Sequence, residues 1–266
     1  MEATSLATAQ PNPARAPSAA GHRGDVPAIE WQVRVDLAAC YRLVELFGWS
    51  DLIATHISAR LPGRNEFLIN PFGMAFDEIT ASSLIKIDLD GDVIGASPYG
   101  VNKAGFTIHS AVHQVRHDAG CVMHLHSADG MAVSALEEGL LPLNQTAMLL
   151  TGDIAIHEYE GPALHLEERA RLQRDLGECH VMLLRNHGTL ALGATVAEAF
   201  VRMHMLERAC SAQVRTLGMG RPLHAATEPA RMTTEAMGVG AMARYGERAW
   251  PALLRKLDRE LPGYAE

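Results

Sequence analysis

Two apolar periods alternate along the chain, and their order predicts its elements. In "EWQVRVDLAACYRLVELFGW" the residues Val33, Leu37, Tyr41, Val44 and Leu46 fall on one helical stripe, and Gly48 supplies the stop, so a first helix is expected there. "HISARL", "EFLINP" and "SLIKIDLDGDVIG" follow as short β-like runs, separated by Pro62-Gly63, Pro71 to Gly73 and Asp90-Gly91, the chemistry of turns. "FTIHSAVHQVRH" interleaves Phe106, Val112 and Val115 with His109, His113 and Arg116, an amphipathic helical pattern that leads into the apolar run "GCVMHLHS". Downstream, "ERARLQRDLG" reads as a helix closed by Gly177 and "HVMLLRNHGTLALG" as strand, turn and strand. "TVAEAFVRMHMLERACSAQVRTLG" reads as a long helix whose start carries Thr195 and Glu198 at capping-box spacing. No internal repeat interrupts this order. A mixed sheet with helices on both faces accommodates it.

The ends of the chain read differently. Residues 1 to about 27 are rich in Ala, Pro, Ser and Gly without an apolar period, which predicts a disordered tail. One domain is expected over 28–266, with a helical C-terminal extension of one or two helices from about Arg221 and a loose end.

Composition narrows the class. With 266 residues, 48% hydrophobic and 20% charged, the chain can bury a substantial core. Its net charge of -8 opposes a general attraction to nucleic acid or to anionic membrane, so neither is expected as a partner. Cys40, Cys121, Cys179 and Cys210 form no CxxC pair, which points to reduced thiols rather than a disulfide framework. No apolar stretch in the N-terminal segment could serve as a signal-peptide core, and a cytoplasmic location is the expectation.

The candidate chemistry sits at strand ends. His124 and His126 are two apart at the polar end of an apolar run, so on a strand both imidazoles project from one face. Paired histidines also occur as hydrogen-bonded strand ends, and the pair alone decides nothing. His187 ends a second apolar run and is followed at once by Gly188, which permits close backbone approach, so two strand ends and a turn could converge on one ion. Three neutral imidazoles with open coordination positions suit a catalytic zinc, iron, manganese or cobalt, without choosing among them. Of the other histidines, His22 lies in the tail, and His117, His165, His180, His204 and His224 lack a strand-end context, which leaves His56, His109, His113 and His157 ambiguous.

"VNKAGFTIHSAVHQVRHDAGCVMHLHS", "ITASSLIKIDLDG" and "LLRNHGTLALG" resemble the class II aldolase and adducin family over about residues 29 to 220, and "NKAGF" and "RTLG" resemble its adducin-like branch more than the sugar-phosphate aldolases. The resemblance implies a three-layer α/β/α sandwich around a mixed, largely antiparallel sheet. It also implies a metal held by His124, His126 and His187, and sites at subunit boundaries in a tetramer or similar ring. Two departures stand out. Where the aldolases carry a glutamate four residues before the histidine matching His109, this chain has Gly105. Where they carry a Gly-Thr-x-Gly-Asn loop and a serine pair that cradle phosphate, it has "LIATH", with His56 in the asparagine's place, and "KAG".

The expected function is therefore a metal-dependent lyase that breaks a carbon–carbon bond of a small hydroxy or keto acid rather than a sugar phosphate. Gly105 is expected to leave room for a bidentate substrate. His109, one helical turn beyond it, is the first candidate for proton transfer, then His56, with Tyr159 in "HEYEG" third. Asn102 and Lys103 are candidates for substrate contact. Two other readings stay open: an iron- and dioxygen-dependent oxidative decarboxylase, like adducin-like relatives in aminocoumarin biosynthesis, and a non-catalytic adducin-like scaffold.

Overall fold

The computed structural model describes residues 26–95 and 97–266, so the expected N-terminal tail lies outside the described residues. Helix α1 (Ala28–Leu46) leads into strands β1 (His56–Arg60), β2 (Glu66–Ile69) and β3 (Ile85–Asp88). Then come α2 (Lys103–Val115), β4 (Cys121–Leu125), α3 (Ala128–Ser134), α4 (Gln145–Met148), β5 (Ile154–His157), α5 (Arg169–Leu176), β6 (Val181–Leu184), β7 (Gly188–Gly193), α6 (Val196–Gly218) and α7 (Glu228–Glu260). The seven strands lie in the order β3-β2-β1-β4-β7-β6-β5. Every pairing is antiparallel except β5 with β6, which makes the sheet mixed.

Side-chain alternation divides the core into two layers. Cys121, Met123 and Leu125 of β4 face a cluster that includes Leu37, Tyr41 and Val44 of α1 and Phe200, Met203 and Leu206 of α6. Val122, on the opposite face, joins Ile108, Ala111 and Val112 of α2 with Leu172 and Leu176 of α5. The fold is thus a three-layer α/β/α sandwich, as the resemblance implies.

Several elements depart from the sequence reading. The third β-like run is a strand and a tight turn: Asp88 Oδ1 accepts from the amides of Asp90, Gly91 and Asp92 at 2.9 Å, and Val93 bridges back to Ile87. Strand β5 and the short helices α3 and α4 were not anticipated. The C-terminal extension is one helix of 33 residues, within the expected one or two, but its tail is docked rather than loose: the carbonyls of Tyr264 and Glu266 accept from the amides of Ala81 and Ser82 at 2.9 Å. At the start of α6 the Glu198 amide donates to Thr195 Oγ1 at 3.2 Å, while Glu198 Oε2 accepts from Ala194, one residue earlier than a capping box requires.

Helix α2 holds the most consequential difference. Its periodicity suggests that Val115 packs inward and that the histidines share the polar face. Instead His109 and His113 are fully buried against the sheet, and Val115 is 48% exposed.

Candidate metal centre

Strands β1 and β4 pair with His56 opposite His124, so both side chains leave the sheet on the face that α2 covers. His124 is the penultimate residue of β4 and His126 follows the strand's end. His187 stands in the β6–β7 turn, where Asn186 takes a φ of 54° to reverse the chain. The ligating atoms of His124, His126 and His187 all lie within 4.8 Å of one another. Gly188 makes the approach possible: a Cβ there would stand 2.3 Å from the Leu125 carbonyl oxygen, so no other residue fits without moving β4 away from β7.

The tautomers follow from the outer partners. His124 Nδ1 lies 3.0 Å from the Thr189 carbonyl oxygen, which can only accept, so Nδ1 carries the hydrogen. His126 Nδ1 lies 3.0 Å from Asp51 Oδ2, another acceptor. The two Nε2 atoms then face each other at 2.9 Å as lone pairs, with no hydrogen between the neutral rings. A cation answers that arrangement. The donor set therefore fits a transition metal, with Thr189 and Asp51 orienting two ligands from behind, as in carboxylate–histidine–metal triads.

Burial keeps His124 and His187 neutral. Burial pushes His124 well below the usual histidine pKa, and the imidazoles of His56, His187 and His126 add to the effect. Burial, then His126 and His157, lower His187 to about 4. Neutral imidazole is the ligand form. Behind the site, the buried Glu207 of α6 accepts from Thr189 Oγ1 at 2.9 Å and from the hydroxyl of Ser127, the N-cap of α3. One carboxylate thus ties together the residues flanking His126 and the segment that orients His124. Neither Asp51 nor Glu207 is signalled in the sequence, because each meets the site only through the tertiary fold.

The other candidates fall into two groups. His56 Nδ1 is 2.9 Å from His109 Nε2, and its ring centroid is 5.1 Å from that of His124. His109 Nδ1 is 2.5 Å from Ser58 Oγ. With both nitrogens engaged and no exposure, His109 faces His56 and Ser58 rather than open space. Gly105 does not leave open space either: a Cβ there would meet His56 Cδ2 at 2.7 Å, so the imidazole of His56 already fills that volume. Asn102 is the N-cap of α2, its side chain accepting from the Ala104 amide at 3.0 Å. Lys103 is exposed at the first position of the same helix. Tyr159 is 53% exposed, with its ring centroid 6.3 Å from that of His187, and both line a cleft that His157 and Arg185 also border.

The chain is similar to known proteins of one family. The family model described as the class II aldolase and adducin N-terminal domain matches residues 35–214. A Caulobacter vibrioides protein, whose name places it provisionally among the class 2 aldolases, is 58% identical over 92% of this chain and 96% of its own. Mouse alpha-adducin is 43% identical over 85% of this chain, a match that spans 33% of the adducin. A crystal structure of an aldolase II superfamily protein from Pseudomonas syringae superposes with a TM-score of 0.86 at 46% identity, covering 92% of this chain and 99% of that one. The chain belongs to the class II aldolase and adducin family.

Proposed function

We propose that the protein is a metal-dependent lyase that breaks a carbon–carbon bond of a small hydroxy or keto acid, by aldol cleavage or decarboxylation. The observation that carries this reading is the pair of facing Nε2 lone pairs on His124 and His126, whose Nδ1 atoms are already committed to Thr189 and Asp51. Three neutral ligands from His124, His126 and His187 leave the full charge of one divalent transition ion on the site, with zinc the first choice and Fe(II), manganese or cobalt the alternatives. Such an ion supplies Lewis acidity toward two substrate oxygens and offsets the negative charge that develops on a carbonyl oxygen as the bond breaks.

The chain's own residues divide the remaining work. His56, with Nδ1 held by His109, takes the hydroxyl proton of the substrate on Nε2 while the carbon–carbon bonding pair moves toward the carbonyl. Tyr159, on the cleft beside His187, returns a proton to the carbon left behind. Lys103 pairs with a substrate carboxylate, and Asn102 holds the helix start that presents it. A non-phosphorylated substrate is supported by "LIATH" and "KAG", which lack the residues that cradle phosphate in the aldolases. We further take the protein to be a cytoplasmic homo-oligomer, with a tetramer favoured. Among the described residues no helix is long and apolar enough to cross a membrane, and the four cysteines are free.

The kinship with alpha-adducin favours one competing reading, a scaffold without catalysis. Parallel assays under nitrogen and in air, with zinc, manganese or ferrous iron on a panel of α-keto and β-hydroxy acids, separate the cases. The lyase predicts turnover with zinc or manganese under nitrogen. Turnover that requires ferrous iron and consumes oxygen would replace it with an oxidative decarboxylase, because zinc has no redox chemistry. Absence of both metal and activity would leave the scaffold.

A further inference from the structure

A line of hydrogen bonds runs inward from the metal centre beneath helix α2. His56 Nδ1 meets His109 Nε2 at 2.9 Å, His109 Nδ1 meets Ser58 Oγ at 2.5 Å, and Ser58 Oγ meets His113 Nε2 at 2.8 Å. All four residues are at most 2% exposed. Such a chain has only two arrangements of its hydrogens, because each neutral imidazole carries one and each contact holds one. In one arrangement His56 Nε2 is a bare lone pair; in the other it is an N–H donor.

The outer end selects the first. At the inner end His113 Nε2 faces Ser58 and its Nδ1 meets no hydrogen-bond partner among the described residues, so this end accepts either arrangement. In the first arrangement Ser58 donates to His113, His109 to Ser58, and His56 to His109. At the outer end, where His124 and His126 already present lone pairs to a shared point, an N–H from His56 would oppose a cation. We propose that Ser58, His109 and His113 form a tautomer lock that holds His56 with its hydrogen on Nδ1 and its Nε2 lone pair turned away from His109, toward the metal site. Ser58, His109 and His113 are positioning residues in this scheme. Each sits too deep to touch a substrate, and each acts on the reaction only through His56. Gly105 belongs to the same device, since any side chain there displaces the ring that the lock orients.

The use made of His56 rests on the lyase reading, but the lock does not, and it can be tested without turnover. Nitrogen-15 spectra of the metal-free protein, with histidine side chains labelled, should show His56 in a single tautomer, Nδ1 protonated and Nε2 bare. Ser58→Ala should convert His56 and His109 to averaged tautomers, Ser58→Thr, which keeps the hydroxyl, should restore the single form, and His113→Phe should loosen it as Ser58→Ala does. In the loaded protein, Ser58→Ala should keep its metal content and KM while kcat falls about tenfold, as expected when one positioned proton acceptor is disordered. A protonated Nε2 on His56 in the wild type would overturn the proposal, as would a single unchanged tautomer in both Ser58→Ala and His113→Phe. If the lock is observed but no substrate turns over with any metal, the lyase reading fails and the lock stands.

Discussion

The imidazole of His56 occupies the volume above Gly105: a Cβ built on the glycine would lie 2.7 Å from Cδ2 and 2.9 Å from Cγ of the ring. The two positions are therefore one structural unit. An acidic side chain at 105 and the observed rotamer of His56 exclude each other. A glutamate at 105, as the resemblance to the sugar-phosphate aldolases would place there, meets the His56 ring first.

Gly105→Ala should accordingly cost about 1–3 kcal/mol, the usual range for overpacking a filled interior, and should disturb His56 before it disturbs the metal. Urea unfolding and metal analysis on the same preparation measure both. Unchanged stability together with unchanged His56 resonances would mean that the glycine is not needed for the ring. Gly105→Glu alone should not create aldolase behaviour, because the new side chain has nowhere to go while His56 stays.

Removing a ligand should empty the site. His126→Ala should lower bound metal from about one ion per chain to well under half while the far-ultraviolet circular dichroism of the fold persists. Full occupancy in a folded variant would rule out the three-histidine centre.

Asp51→Asn tests the outer partner. Its carboxylate lies 3.0 Å from His126 Nδ1, and loss of such support weakens metal binding by about 10- to 100-fold. Competition with a chelator of known affinity reads the change. An unaltered affinity would show that His126 is oriented without Asp51.

The buried histidines also set an acid limit. Burial, then His113, lowers His109 to about 3, and burial, then Arg60, lowers His113 to about 3. In the unfolded chain both titrate near 6.5, so between about pH 3 and 6.5 the unfolded state binds more protons. Their contribution is complete above 6.5 and is lost as pH falls, with a slope approaching ~2.7 kcal/mol per pH unit for two groups. Urea midpoints at pH 7 and pH 5 should therefore differ sharply, and His113→Phe should lower the slope by one group's share, about 1.4 kcal/mol per pH unit. Equal midpoints at the two pH values would contradict the neutral, buried state of both rings.

How much of this was legible in the chain depends on the range of the interaction that decides each feature. His124 and His126 announce themselves because a strand's twofold period is local, and His187 because Gly188 follows it. The order of helices and strands is likewise written in short apolar periods. Strand β5 escaped because four residues at a sheet edge, "IAIH", carry too little pattern to stand out. The orientation of α2 escaped for another reason. A histidine reads as polar, and only its partners Ser58 and His56, more than fifty residues away, make its burial affordable. Asp51 and Glu207 escaped for the same reason, being meaningful only once the sheet has brought distant loops together.

The register between β1 and β4 places His56 across from His124 and Ser58 across from Val122. A slip of one residue would send His56 and Ser58 to the opposite face of the sheet, into the layer formed by α1 and α6, and the inner chain and the ligand cluster would part company together. The heritable unit of this chemistry is therefore a hairpin-like pair of strands from separate parts of the gene rather than a set of side chains. An insertion within either strand is more damaging than most substitutions at the histidines themselves, and any transplant of the site into another scaffold must carry both strands in their alignment.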